Sequence, residues 1–349
     1  MSTFNRLDTE DKVVSTDKVT TSTWTNNTNI LTTFKTQSTQ AVFSSATSQG
    51  NFFLEVYKDD PASIADAEVQ FTLGYGHKAG SGSYDFTNTA GAYGYSATRC
   101  VYNQFRQLVY GDENSNFSFN GYEPSDVHVI NVARSRFKHS LKPGSLNLKL
   151  GDGTNIIHLT DDSVTLSGSA TVTNVGRQFN LVSGSDGVMS GSNLTQATHA
   201  GVGMSGSYGF FYPDAGFIVI NGEALRNVAP TYWTEGTSNA ANANNRDQLY
   251  TALNHNDASS FELDSEERIS SQYMFVRIKN SQFNYTTNPS YIDTNGDLNI
   301  STFADSPVTY ITTVGLYNDQ NNLIAVAKLS QPLKKDFTTE ALIRVKLDY

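Results

Sequence analysis

Cysteine is all but missing from this chain of 349 residues: Cys100 stands alone. No intrachain disulfide can form, so a small secreted scaffold held together by staples is excluded. Cys100 is expected in a helix beside Val101, as a small core residue. A catalytic thiol needs a nearby His and an electropositive setting, which spacing alone does not supply. Nowhere do about eighteen apolar residues run together, so no transmembrane helix is expected. The opening residues, MSTFNRLDTEDKVV, contain no apolar h-region, and no signal peptide is expected. Positive charge is scarce as well: 24 Lys and Arg stand against 34 Asp and Glu, for a formal net charge of −10. Phosphates reward clustered Lys and Arg, so neither nucleic acid nor a membrane is an expected partner. The acidity reads as solubility.

Coherent chemistry is also lacking. Gly201-Val202-Gly203-Met204-Ser205-Gly206 spells G-x-G-x-x-G, but Tyr208 to Pro213 follows where a dinucleotide site needs a helix. Asp293-Thr294-Asn295-Gly296-Asp297 hints at a calcium loop. An EF-hand wants Gly at position six and Glu at twelve; those positions hold Leu298 and Ala304. The segment reads instead as an Asn-Gly turn. Ser135-Arg136-Phe137-Lys138 spells S-x-x-K without its partner motifs. The His residues at 77, 128, 139, 158, 199 and 255 show no ligand spacing. No catalytic, cofactor-binding or metal residue is expected, and the chain reads as a non-enzyme.

What is present favours strands. Gly, Ser, Thr, Asn, Tyr and Phe are abundant, and Leu-, Ile- and Val-dense helical segments are few. The expected fold class is mainly β: antiparallel sheets and β-sandwich domains, a few short helices and an extended N-terminal arm. That arm covers 1–50, polar sequence with isolated large residues at Phe4, Val13, Val14, Trp24, Ile30, Leu31, Phe34 and Phe43. The arm is expected to drape these anchors over its own body, a neighbouring copy or another protein; its alternative is an ordinary edge strand with loops. A main β-rich body is expected from 51–150 and 213–349, with 151–212 as an inserted small β domain, because short apolar bursts there recur every eight to twelve residues.

Within the body, 52–57 and 69–75 read as strands, and Ala62 to Glu68 as a short helix after Pro61. Thr98 to Tyr110 reads as a helix with Val101, Phe105, Leu108 and Val109 on one stripe. Val127 to Val132 is an apolar run fit for a buried strand. Arg134, Arg136 and Lys138 alternate and are expected to share one face of a strand, the only local basic cluster. Leu146, Leu148 and Leu150 alternate in a strand expected to pair with its predecessor. Phe217 to Ile220 is a buried strand expected to end at an Asn221-Gly222 turn. Arg246 to Leu253 reads as a helix and Tyr273 to Ile278 as a strand. Gly/Tyr-rich loops at 76–96 and 201–213 are candidate contact loops.

The C-terminal stretch is the most sharply patterned. Thr309 to Tyr317 and Leu323 to Leu329 flank five polar residues and read as an antiparallel hairpin. Pro332 is expected to break the pairing. Ala341, Ile343, Val345, Leu347 and Tyr349 alternate with Leu342, Arg344, Lys346 and Asp348, a strand with one buried face whose terminus is tied into a sheet.

YITTVGLYNDQNNLIAVAKLSQPLKK resembles a strand-pair signature in tail, baseplate and fibre-attachment proteins of tailed bacteriophages. AGFIVINGEAL (215–225), FVRIKNSQFNYTTNPSY (275–291) and NVARSRFKHSLKPGSLNLKL (131–150) are similar to segments of virion proteins of contractile-tailed phages. The resemblance implies a virion structural protein, assembled in a host cytoplasm, in the tail or baseplate. Its partners would be other virion proteins and neighbouring copies in a symmetric oligomer. Candidate partner contacts are Phe4, Trp24, Phe34, Phe43, Arg134, Arg136 and Lys138. One alternative is a receptor-binding adhesin of the same tail. A remoter one is a polysaccharide-degrading enzyme, which needs two carboxylates at a set separation.

Overall fold

The computed structural model describes residues 4–37, 53–81, 97–119, 121–151, 156–165, 170–189, 208–228, 242–255, 259–286 and 288–348. The protein is mainly β, with antiparallel sheets and few helices. From the N-terminus come β1 (Lys12–Ser22), β2 (Ile30–Leu31), β3 (Phe53–Tyr57) and β4 (Val69–His77). Helix α1 (Ala97–Tyr110) precedes β5 (Asp126–Val132), β6 (Ser140–Leu141), β7 (Asn147–Gly151) and β8 (Ile156–Asp161). Next are β9 (Thr171–Thr173), β10 (Gly176–Ser185), β11 (Val188–Met189), β12 (Gly209–Tyr212) and β13 (Phe217–Asn221). Helices α2 (Gly222–Val228) and α3 (Asn242–Leu253) lead to β14 (Ser260–Glu262) and β15 (Asp264–Ile278). A short α4 (Ser301–Asp305), then β16 (Thr309–Tyr317), β17 (Leu323–Lys335) and β18 (Ala341–Asp348), complete the chain.

The chain divides into two compact units, Val19–Glu267 and a second made of Met1–Lys18 with Arg268–Tyr349. In the larger unit the strands run β2-β14-β7-β8-β10-β12-β13-β5-β4-β3, every neighbouring pair antiparallel. The expected inserted domain at 151–212 supplies β8, β10 and β12 to the middle of this sheet, with β9 and β11 paired to the two ends of β10. Regular turn spacing had marked it off, but spacing says where strands end and not which strands they join. β7 likewise pairs with β8 and β14, not with β6 before it.

The sheet curls back on itself. β2 forms one end of the strand order and β3 the other, and Lys35, four residues past β2, bridges Tyr57 of β3 through two N–H···O bonds of 2.8 Å. Inside lies the main core, where Trp24, Leu31 and Phe34 meet Phe71, Ile130, Leu148, Phe211 and Phe261. Strands β5, β12 and β13 are covered on both sides. Ile130, Val132, Ile218 and Ile220 face this core, while Val127, Val129, Phe217 and Val219 meet Val101, Tyr102 and Phe105 of α1. Burial on both faces is why β5 and β13 read as continuous apolar runs; β12, buried throughout, corrects the expected contact loop at 201–213 over 209–212.

Several local expectations change. The buried arc of α1 is Thr98, Val101, Tyr102, Phe105 and Val109; Leu108 and Cys100 are exposed. At about 100° per residue the arc centres near Thr98 and Phe105, so Leu108 falls at its margin and Cys100 beyond it. Residues 62–68 form turns and not a helix, with Asp60 Oδ1 accepting the Ala62 N–H at 2.9 Å. After β13 the chain enters α2 directly. Asn221 Oδ1 accepts the N–H groups of Glu223 (3.1 Å) and Ala224 (3.2 Å), so Asn221 is a helix N-cap. Gly222 follows because a Cβ there would collide with the Asp126 carboxylate.

The smaller unit is a small β-sandwich. The second half of β15 pairs with β18 from Ser271↔Asp348 to Ile278↔Ala341, and β16 pairs with β17. Met274, Val276, Ile278, Ile343 and Val345 of the first pair pack with Ile311, Leu316, Ala325, Leu329 and Leu333 of the second, and Leu7 joins them. The expected alternation of β18 holds, with Ile343 and Val345 buried and Leu342, Arg344 and Lys346 exposed. Pro332 does not end the pairing. The register jumps from Ile311↔Leu333 to Thr313↔Lys328, so residues 329–332 bulge out and β17 runs on to Lys335. A bulge is where a strand tolerates the missing proline donor.

Candidate functional site

The hairpin β16–β17 offers the most exposed apolar surface of the smaller unit. Cross-strand pairs share a face, so Leu316↔Ala325 and Val314↔Ala327 point into the sandwich, while Thr313↔Lys328, Gly315↔Val326 and Tyr317↔Leu323 point out. A second irregularity between Leu316 and Tyr317 turns both Leu323 and Ile324 toward solvent. Exposures are 46 % for Tyr317, 52 % for Leu323, 67 % for Ile324 and 61 % for Val326. Gly315 leaves room for its neighbours: a Cβ there would lie 3.0 Å from Tyr317 Cε2 and 3.3 Å from Leu323 Cδ1. The ring of Phe4, itself 52 % exposed, stands edge-on to Tyr317 at 5.0 Å. Phe4, Tyr317, Leu323, Ile324 and Val326 thus make one continuous apolar patch.

Both ends of the hairpin are fixed by polar contacts. At the turn, Asn318 Oδ1 accepts the N–H groups of Gln320 (3.0 Å) and Asn322 (2.8 Å), and Asn321 takes the left-handed conformation at φ 62°. At the far end Lys335 is fully buried. Its Nζ donates to Asn280 O (2.8 Å), Asn284 Oδ1 (2.8 Å) and Asp336 O (2.7 Å), which satisfies all three ammonium protons. The next residue, Asp336, accepts from the Thr338 and Thr339 hydroxyls and the Thr338 N–H, which hold its carboxyl far below the usual carboxylate range. Sequence reasoning missed Lys335, because a lysine three residues past an expected break reads as solvated. No local signal marks it.

The candidate partner contacts scatter. Phe4 belongs to the patch. Trp24 and Phe34, 2 % and 1 % exposed, are core residues of the larger unit. Phe43 lies outside the described residues. Arg134–Arg136 form a 3-10 turn, not a strand, so the basic residues share no face. Arg134 donates to the Phe137 and Lys138 carbonyls; Arg136 pairs with Glu68 at 2.8 Å and donates to Thr25 Oγ1 at 2.7 Å; Lys138 pairs with Glu267 at 2.8 Å. The cluster ties the larger unit together, leaving little charge for an acidic partner. Of the contact loops, 82–96 and 201–207 lie outside the described residues, as does the G-x-G-x-x-G stretch. At 293–297 the Asp293 carboxylate accepts the Asn295 (2.9 Å) and Asp297 (2.8 Å) N–H groups, and Ile292 bridges Leu298, which makes the segment a turn.

A cluster of ionisable groups sits at one end of β4 and β5, in the larger unit. Tyr75 and His77 lie across from His128 and Asp126. Arg226 of α2 grips the buried Asp126 carboxylate with both Nη atoms, and Tyr122 and Ser125 donate to Glu223. His77 Nδ1 accepts from Ala79 (3.0 Å) and Ser81 (3.1 Å). Burial pushes the His128 imidazole down to about 4; Asp126 opposes that and Arg226 adds to it. Arg226 with Asp126, and Tyr122 and Ser125 with Glu223, act as a polar clamp between the start of β5 and α2.

No protein-family model, curated protein or solved structure matches the chain. Among the described residues, no helix is long and apolar enough to cross a membrane.

Proposed function

We propose that this chain is a structural component of a tailed-phage virion, in the tail or baseplate, and that it works by protein–protein assembly. The carrying observation is the apolar patch of the β16–β17 hairpin. An apolar patch of several hundred Å² is the size of the largest that monomers ordinarily show, and such patches are often where something docks. All of that patch but Phe4 falls within the stretch of sequence that resembles the phage strand pair. Its geometry suits docking and not chemistry: a flat pleated face, one small residue at its centre, and aromatic and aliphatic side chains around it. Its partners would be other virion proteins or neighbouring copies, and its working location the particle. Mass spectrometry of purified, infectious particles from the system encoding the chain tests this directly. A stoichiometric presence supports the reading. Infectious particles that lack the chain overturn it.

A further inference from the structure

Building on the assembly reading, we infer that the outward face of the β16–β17 hairpin is closed by the same face of a second copy of this chain, related by a two-fold axis. Two features of the smaller unit lead there.

The first is area. Phe4, Tyr317, Leu323, Ile324 and Val326 each leave about half or more of their surface open. Large apolar side chains then offer roughly 100 Å² apiece, about 500 Å² per copy and on the order of 1,000 Å² for a self-paired face. That reaches the lower bound of a specific interface, and a self-complementary patch reaches it without further contacts.

The second is charge. The smaller unit contains 11 Lys and Arg and 11 Asp and Glu, leaving 13 against 23 in the larger one. The whole net charge of −10 therefore resides in the larger unit, and two copies of the smaller unit meet without net repulsion. The ends of the patch carry opposite signs. Exposed Asp319 lies in the turn, and exposed Lys328, paired with Thr313, lies on the far side of Val326. A two-fold axis through the middle of the patch places the turn of one copy over Lys328 of the other, so two Asp319–Lys328 pairs form. A strongly charged foreign partner would find no matching field on this face.

The test is sedimentation velocity on the full chain up to about 100 µM, where a micromolar self-association is visible. The expected mass is twice 38.2 kDa. Ile324→Lys with Val326→Lys should return the monomer with an unchanged far-UV circular dichroism spectrum. Asp319→Lys alone should weaken the dimer by roughly fivefold, since two exposed ion pairs are lost. Asp319→Lys with Lys328→Asp should restore it, a readout independent of whether the double-lysine variant folds. A wild-type monomer throughout this range overturns the inference, and so does a dimer indifferent to these substitutions. A monomer in solution whose incorporation into particles is abolished by Ile324→Lys with Val326→Lys would assign the face to a foreign partner. That outcome overturns self-pairing and leaves the assembly reading standing.

Discussion

Replacing Trp24 with alanine separates two meanings of the N-terminal segment: an arm for neighbours, or a part of the chain's own core. The indole ring lies 4.9 Å from Phe261 and 6.0 Å from Phe71, and its Nε1 donates to Phe261 O at 3.1 Å. Truncating a buried Trp to Ala costs about 3–5 kcal/mol in lost transfer energy and residual cavity. The Phe261 carbonyl also loses its donor; water entering the cavity offsets part of that, so the loss stays near about 4 kcal/mol. For a body of this size, each kcal/mol lowers the midpoint by roughly 2–4 °C, so the larger unit should melt about 8–16 °C earlier. Trp24→Phe keeps most of the packing, loses the indole bond, and should cost about 1 kcal/mol. Thermal and urea melts followed by far-UV circular dichroism read both values. If Trp24→Ala melts within about 1 kcal/mol of the wild type, the residue is not structural in the isolated chain. An arm that folds only on a neighbour would give that result.

Lys335→Met leaves the carbonyls of Asn280 and Asp336 and the Asn284 amide oxygen without their donor, at a cost of about 3 kcal/mol. Hydrogen exchange should speed up at 280–284 and 309–311 while β4 and β5 keep their protection; uniform protection would show that the buried ammonium does not hold that end of the hairpin. His128 makes stability pH-dependent. Its folded pKa, about 4, lies below the ordinary value of 6.5, so below pH 6.5 the unfolded state binds the proton that the folded state refuses. Stability attributable to this residue therefore falls as pH drops from about 6.5 toward 4, by up to about 3 kcal/mol. Asp161 and Asp162, whose carboxyls burial pushes up, act in the opposite sense above their ordinary value, so the measurable quantity is the difference between wild type and His128→Gln across that range. Equal pH slopes for the two proteins would contradict the buried, uncharged imidazole. On α1, Leu108→Gln should change stability by less than about 0.5 kcal/mol and Phe105→Ala by about 3–5 kcal/mol; the reverse order in urea midpoints would mean that the helix is rotated.

Much of the strand content was open to reading because burial follows local periodicity. β18 alternates, and β5 and β13 are unbroken apolar runs; each pattern names its own environment. The hairpin was legible for the same reason, down to its five-residue turn. The features that failed are those where one residue is settled by a distant partner. Asn221-Gly222 spells a hairpin turn as readily as an N-cap, and the Asp126 carboxylate, nearly a hundred positions upstream, leaves room only for glycine at the start of α2. Arg134, Arg136 and Lys138 alternate as on a strand, yet Glu68, Thr25 and Glu267 fix two of the three from elsewhere in the chain. Pro332 breaks a regular ladder but not one that bulges at that point.

The same limit explains why the N-terminal segment could not be placed from its sequence, which fits an arm laid over the chain's own body, an arm laid over a neighbour, or an edge strand with loops. Its apolar residues are too sparse for a core of their own, which reads as an arm. Sparse anchors suffice when the rest of the core is already built by other strands, and here the segment closes a sheet that is otherwise complete. Residues 30–35 touch Glu262 and Phe261 on one side and Tyr57 on the other, so a few side chains seal both ends of the strand order. Pairings this remote in sequence carry no local period, and their cost is loop-closure entropy that grows only slowly with separation. A polar segment with an occasional Trp or Phe is therefore as much a closing staple as a free arm. What distinguishes the two is the hydrogen bonding of the backbone between its anchors, and here the two Lys35–Tyr57 bonds decide for the staple.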